Sequence, residues 1–281
     1  MEQQRLARYL VRYGYLQEPS PSPPALQDAL TQFQQFCGLE GSGVVDLPTQ
    51  AALMLPRCTV RDLLPSPRLL ALSCPPSWPR LPITWRVTKP PSRGPPSALL
   101  DRSLTRAFSL WTRHAALSFQ RLEEGQPDLE IRWESGDHGD EDPFDGEGGT
   151  LAHAFLPGPY SADLACGDIH FDDSEQWSLG SEEGTNLTQT AAHEIGHALG
   201  LGHSTEETAL MAPFYRGYRA KLELGEEDVA RIQELYGPPG LGQGEGQEEG
   251  GEEVWLGEKR KSGDESDYEY ESICPLWCTI I

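Results

Sequence analysis

Long apolar runs are missing from these 281 residues: no window approaches the roughly 18–20 apolar residues that a membrane span needs. The opening stretch, MEQQRLARYLVRYGYL, carries charge throughout and has no apolar core, so no secretory signal peptide is visible. Cysteine pairs of the CxxC type are absent, which argues against a cysteine zinc ribbon or a thioredoxin-like redox site. The six cysteines (Cys37, Cys58, Cys74, Cys166, Cys274 and Cys278) are spread too widely for a dense disulfide scaffold. Positive charge is scarce as well. With 22 Lys and Arg against 44 Asp and Glu the net charge is −22, which makes nucleic acid and anionic membranes poor partners. No internal repeat is found.

The residues that are present divide the chain into four stretches. Residues 1–58 read as a small helical unit: Leu6, Tyr9, Leu10 and Tyr13 recur at helical spacing before Gly14, and Leu26, Leu30, Phe33 and Phe36 share one face of a second helix. A third short helix is expected in LPTQAALML. Residues 59–82 are rich in proline and read as a linker. From Ile83 to Pro238 strand-like runs (ITWRV, LEIRW, LAHAF, DIHF) alternate with helical ones (SALLDRSLTRAFSLWTRHA, a helix starting near Asn186, EEDVARIQELYG), which points to an α/β or α+β domain. Residues 239–281 carry 11 acidic side chains against Lys259, Arg260 and Lys261, and read as a disordered Gly-rich tail.

The chemistry concentrates in HEIGHALGLGH, His193 to His203. Residues four apart share a helix face, so His193 and His197 can present imidazoles to one metal. Glu194 lies beside the open coordination position, where it can act as general base on a zinc-bound water that attacks a scissile carbonyl. Gly200 permits the turn that returns His203 as third ligand. Three neutral imidazoles leave a fourth position for water, the arrangement of a catalytic zinc rather than a closed structural one. A Met-turn in ALMAP, with Met211 forming an apolar floor, completes the metzincin pattern.

Around this motif, GDHGDEDPFDGEGGTLAHAF, GDIHFDDSEQW, AAHEIGHALGLGHS, ALMAPFY and VARIQELYG follow the order of the matrix metalloproteinase (matrixin) catalytic domain. RYGYL and PRC resemble its propeptide. The chain therefore resembles a matrixin over about residues 4–238, leaning towards the subgroup that contains matrix metalloproteinase-19. The resemblance implies a mixed, mostly parallel twisted sheet with three helices, behind a small three-helix propeptide. It implies a structural zinc held by His138, Asp140, His153 and His170. It also implies calcium at two sites. One would use Asp145, Asp172 and Glu175 with carbonyls of Gly146, Gly148 and Thr150; the other would use Asp128 and Asp168 with carbonyls near Leu164 and Cys166. Hard oxygen donors in glycine-permitted loops suit Ca²⁺, although Cys166 stands where the family has small residues. His114 is left over, and reads as a surface residue.

By the same resemblance, Cys58 in PRCTVRD is the propeptide cysteine that takes the water position on zinc, with Arg57 and Asp62 on its flanks. Thr59 and Arg61 replace the family's Gly and Pro, which would weaken latency. Pro213 and Tyr215 would form the wall of the S1′ pocket, so an apolar P1′ residue is expected in a peptide laid along the edge strand. No furin-type site separates Cys58 from Ile83, so activation would need another protease or self-cleavage near Leu70–Leu72. The family's haemopexin-like domain is not expected in the residues after Pro238, which are too few to hold one. Asn186-Leu-Thr is a glycosylation sequon at a helix start. The implied function is a secreted, latent endopeptidase dependent on zinc and calcium. Its substrates would be extracellular matrix or other secreted proteins, and tissue inhibitors of metalloproteinases its protein partners. The alternative is a catalytically silent or permanently latent matrixin fold that acts by binding.

Overall fold

The computed structural model describes residues 3–63, 77–140, 142–157 and 166–240. Helix α1 (Gln3–Arg12) buries Leu6, Ala7 and Leu10 and gives way to Gly14, whose φ of 89° ends the turn. Helix α2 (Pro23–Phe36) starts on prolines, which suit the first turn because its N–H groups have no intrahelical partner. Helix α3 (Leu47–Ala52) is capped by Asp46, whose carboxylate accepts from Thr49 N at 2.9 Å. The three pack around Leu10, Tyr13, Tyr15, Leu30 and Phe33, with Tyr9 and Tyr15 edge-on to Phe33. Gln34 is buried in the same unit. Its Nε2 donates to Thr49 Oγ1 and the Val44 carbonyl, and its Oε1 accepts from Gly43 N.

The larger layer is a six-stranded sheet. In chain order its strands are β1 (Arg57–Cys58), β2 (Ile83–Lys89), β3 (Phe119–Arg121), β4 (Leu129–Glu134), β5 (Thr150–Ala154) and β6 (Ile169–Asp172). Their order across the sheet is β1-β5-β6-β4-β2-β3. The pairing between β5 and β6 is antiparallel and all others are parallel, so the sheet is mixed and mostly parallel as expected. β4 alternates strictly, with Leu129, Ile131 and Trp133 inward, whereas β5 and β6 are buried on both faces. A small two-stranded piece, β7 (Trp177–Ser178) with β8 (Thr185–Asn186), leads into the next helix.

Three helices complete this layer's core: α4 (Ser97–Thr112), α5 (Leu187–Ala198) and α6 (Glu226–Tyr236). The core joins Trp85, Leu104, Phe108, Trp111, Ile131, Phe171, Ile195, Met211 and Ile232. Each fully buried side chain of this size contributes about 1.5–3 kcal/mol. All 12 residues of α5 are buried, so the helix runs through the interior rather than over the surface. Asn186 caps it by accepting from Gln189 N at 2.9 Å, and the Trp111 indole donates to Ala192 O at 3.0 Å. Because Asn186 is itself buried in that cap, the sequon is not accessible in this fold. His114 is half-buried at the end of α4 rather than a plain surface residue.

The spacing of α5 from the layer beneath it depends on Gly196. A methyl group built there would lie 2.3 Å from Met211 Sδ and 2.8 Å from Trp111 Cζ2. Alanine gains about 1 kcal/mol in helix propensity, but overpacking a rigid indole in a filled core costs about 1–3 kcal/mol. The cost outweighs the gain, so Gly196→Ala is expected to lower stability by up to roughly 2 kcal/mol, read as a reduced midpoint in calorimetric unfolding with zinc and calcium in excess. An unchanged or raised midpoint would show that Met211 and Trp111 move aside freely.

Candidate metal centre

The motif helix brings its histidines together as the spacing predicts. After α5, Gly200 adopts φ 105°, which lets Leu201 N bond back to Gly196 O at 3.0 Å and swings the chain round to His203. In each ring Nδ1 is engaged by an acceptor. His193 Nδ1 meets Leu210 O at 2.7 Å, His197 Nδ1 meets Leu201 O at 2.7 Å, and His203 Nδ1 meets an oxygen of Asp62 at 2.8 Å. A carbonyl or carboxylate requires a hydrogen on Nδ1, so each Nε2 carries a lone pair. Burial pushes His193 down to about 3 and lowers His197 and His203 as well, so all three rings are neutral.

These lone pairs converge. His193 Nε2 and His197 Nε2 are 3.1 Å apart, and His203 Nε2 is buried with no hydrogen-bond partner. The three nitrogens and Cys58 Sγ all lie within 4.8 Å of one another. Acceptor facing acceptor at such distances is repulsive unless a cation lies among them, and three imidazoles with a thiolate are a zinc donor set. The site fits the metal. Cys58 Sγ also donates to Glu194 Oε2 at 3.4 Å, while Glu194 Oε1 is buried without a partner. Burial pushes the Glu194 carboxyl up to about 8, and burial with the Glu194 charge pushes the Cys58 thiol well up. A thiolate at Cys58 therefore requires a cation in the cluster.

Cys58 arrives on β1, which lies parallel to the edge strand β5. Arg57 N donates to Gly149 O at 2.7 Å and Thr59 N to Ala152 O at 3.2 Å. On the other side Cys58 N donates to Pro213 O at 3.2 Å, and Tyr215 N to Pro56 O at 2.8 Å. The segment is thus held between the sheet edge and residues 213–215. Beside it is a cavity of about 30 Å³ lined by Leu151, Gln189, His193, Glu194, Leu210, Pro213, Tyr215 and Arg219. Tyr215 OH also accepts from Asn186 N at 3.0 Å, tying this wall to the start of α5.

A second cluster contains His138, Asp140, His153 and His170, again within 4.8 Å of one another. His138 Nδ1 is engaged by Gly136 O at 2.9 Å, which turns its Nε2 lone pair towards Asp140 Oδ2 at 2.7 Å. That is a cation-demanding arrangement. His153 Nε2 and His170 Nδ1 each lie 2.9 Å from the same oxygen. On its far side His170 Nε2 faces the Arg132 guanidinium at 2.7 Å. Were a metal held on Nδ1, Nε2 would carry the hydrogen and would no longer accept from Arg132.

The matrixin family profile matches residues 77–237, and residues 3–53 match a profile described as a peptidoglycan binding domain. This chain is a matrixin. It is 40% identical over 250 residues to human matrix metalloproteinase-25, an alignment covering 82% of this chain and 44% of that one. The hatching enzyme of Paracentrotus lividus is 40% identical (83% and 38% covered), and human matrix metalloproteinase-19 is 39% identical (82% and 44% covered). Identities this even single out no subgroup. The chain spans about two fifths of the length of the curated relatives it matches. Zinc and calcium are the metals of this family.

In this matrixin the loop that carries Asp145 folds onto Asp172 and Glu175. Gly146 N donates to Asp172 Oδ2 at 3.2 Å, Gly148 N to Glu175 Oε1 at 2.6 Å, and Thr150 N to Asp145 Oδ1 at 2.8 Å. Gly146, Gly148 and Gly149 all have positive φ, which this tight loop requires. The three carboxylates are brought to one loop without forming a compact oxygen cluster like the two histidine sites. Of the other predicted calcium site, Asp128 accepts from Thr84 N and Oγ1, and Asp168 accepts from Glu130 N at 3.2 Å. Cys166 is half-buried, and Leu164 lies outside the described residues, as does the Leu70–Leu72 stretch.

The roles of four residues escaped the sequence reading. Asp228, wholly buried, accepts from Leu210 N and Met211 N and so fixes both the Met-turn and the carbonyl that orients His193. Its place in the first turn of α6 was readable only as a capping position. Gln189 and Arg219 put polar groups in the lining of the cavity beside Cys58; Gln189 Oε1 accepts from Arg219 N at 3.1 Å, and the Arg219 guanidinium is held by the Thr208 carbonyl at 3.0 Å. Asp62 was seen as a flank of Cys58, not as the partner of His203.

Burial pushes the carboxyls of Asp168 and Glu175 up to about 7. The folded chain thus keeps protons that an unfolded one releases near pH 4, and ionising these groups removes stability as pH rises from about 4 to about 7. Calcium needs the ionised oxygens. Millimolar calcium is expected to raise the thermal midpoint clearly at about pH 7.5 and little at about pH 5. An equal shift at both values would exclude these two carboxylates as ligands.

Proposed function

We propose that this matrixin is a zinc- and calcium-dependent endopeptidase made in a latent form, with Glu194 as general base and Cys58 as the blocking ligand. The observation that carries this reading is the convergence of three imidazole lone pairs beside an unpartnered carboxylate oxygen. His193, His197 and His203 hold the catalytic zinc, and His138, Asp140, His153 and His170 a structural one. Zinc in the first site supplies Lewis acidity that acidifies a water towards pKa ~7 and polarises a carbonyl. The Glu194 carboxylate then accepts the proton of the attacking water and hands it to the leaving amine. Its desolvated position beside the metal suits that shuttle. Met211 supports the helix from below.

A substrate peptide would take the groove that β1 occupies, using the carbonyls of Gly149, Ala152 and Pro213 and the N–H of Tyr215. Its P1′ side chain would enter beside Pro213 and Tyr215, with apolar character favoured and Gln189 and Arg219 adding polar groups to the lining. Because β1 fills that groove and Cys58 faces the metal position, the chain with its propeptide docked is closed to substrate. Calcium ligated by Asp145, Asp172 and Glu175 with the carbonyls of Gly146, Gly148 and Thr150, and by Asp128 and Asp168, stiffens the loops beside β5 and β6. Secreted proteins of the extracellular matrix are the substrates this reading favours, and tissue inhibitors of metalloproteinases the regulators. The intact Glu194 with all three histidines argues against a silent fold kept for binding.

The test uses residues 77–240, folded with zinc and calcium, on a quenched peptide with an apolar P1′ residue. Glu194→Ala is expected to lower kcat/KM by about 10²–10⁴-fold, and a chelator to abolish turnover. In the full chain, turnover should be low and should rise in Cys58→Ser. A folded, zinc-loaded domain that cleaves nothing would sink the enzyme reading; equal activity of the full chain and its Cys58→Ser variant would remove Cys58 as inhibitor.

A further inference from the structure

The three candidate zinc ligands differ in where their Nδ1 acceptors come from. Leu210 O and Leu201 O, which orient His193 and His197, belong to the catalytic domain and stay with it. The acceptor for His203 is Asp62, four residues beyond Cys58 on the propeptide side. Asp62 is built to hold that bond. Its second oxygen accepts from Tyr15 OH at 2.8 Å, its backbone N–H donates to Tyr13 O at 3.1 Å, and it forms a buried ion pair with Arg57. The side chains of Asp62 and His203 are both fully buried.

Resting on the zinc reading given above, we propose that Asp62 is a positioning residue of the catalytic zinc, so that the propeptide holds this metal twice, through Cys58 Sγ and through the His203 ring. A carboxylate on the far nitrogen fixes ring orientation and raises the basicity of the ligating nitrogen, and loss of such a partner costs about 10–100-fold in metal affinity. When the propeptide leaves, His203 Nδ1 loses its carboxylate while His193 and His197 keep their carbonyls. The latent chain therefore retains zinc more tightly than the thiolate alone explains, and the released domain keeps His203 as a ligand without the carboxylate that orients it.

The experiment measures zinc transfer to a chromogenic chelator from the full chain, from Asp62→Asn and from Cys58→Ser, with the cobalt-substituted forms giving the thiolate-to-metal absorption band. Asp62→Asn is expected to keep the band, to release zinc about 10–100-fold faster, and to shift the His203 Nδ1–H proton resonance. Release within twofold of the unmutated chain with the band intact would overturn the proposal. Should Asp62→Asn lose the band because the propeptide undocks, it must release zinc faster than Cys58→Ser, which retains Asp62; equal rates would overturn it. Failure of the unmutated chain to bind zinc or to show the band would strike the zinc and Cys58 reading instead.

Discussion

An imidazole can offer a lone pair in a fixed direction only when its other nitrogen is held as a donor, and the interior around α5 is arranged to meet that condition three times. Each acceptor comes from a different part of the chain. Leu201 follows the Gly200 turn, Leu210 sits in the Met-turn, and Asp62 comes from the propeptide strap. The packing follows from this requirement. Asp228 fixes the N–H groups of Leu210 and Met211, Gly196 lets the Met-turn close up against α5, and Trp111 braces the helix from the side. The orphaned Nε2 of His203 is the expected residue of such an arrangement, since a buried acceptor without a donor costs about 1–3 kcal/mol unless a cation satisfies it.

The propeptide strap meets two demands at once. Parallel pairing with β5 satisfies its backbone along the groove, and Arg57 anchors it by burying a cation beneath Phe214. A buried guanidinium is tolerable only when paired and hydrogen-bonded. Here Asp62 neutralises it, Tyr9 OH and the Cys58 carbonyl accept from it, and the Tyr13 ring lies 3.5 Å from it. The guanidinium in turn holds the Asp62 carboxyl below its usual range against the effect of burial. Phe214 belongs to the helical unit's core while its neighbours Pro213 and Tyr215 line the pocket. Docking of the propeptide and closure of the pocket wall are therefore one packing event.

Much of this was legible in the residues because it is local. His193, His197 and Gly200 announce their geometry through spacing within one helix and one turn, and the alternation of Leu129, Ile131 and Trp133 announces a half-buried strand. Asn186 shows the opposite case. A usable sequon needs an exposed amide nitrogen, yet Asn186 is a buried cap whose Oδ1 accepts from Gln189 N. The roles of Asp62, Asp228 and Gln189 stayed hidden for a common reason: each acts on a partner more than 15 residues away, which no local spacing announces, even where the residue itself, as Asp62 does, lies in a motif. Arg132 against His170 was invisible on the same ground, since nothing in the run LEIRW says that its arginine would end 2.7 Å from a histidine 38 positions later.

Thr59 and Arg61, which depart from the family's pattern around Cys58, can now be weighed physically. Thr59 is accommodated: its backbone N–H pairs with Ala152 O, and its side chain is buried against the cleft. The cost lies in its hydroxyl, which is buried with no hydrogen-bond partner. A glycine would bring no such group. An unmet hydroxyl costs about 1–3 kcal/mol, and only while the strap is docked, because release returns it to water. Arg61 is exposed and lacks the fixed φ of a proline, so the segment between Cys58 and Asp62 gives up more freedom on docking. The first departure raises the free energy of the docked state and the second lowers that of the undocked one. On the proposed latent reading they shift the balance towards release without touching the metal ligands, and the Arg57–Asp62 pair becomes the contact that has to offset them.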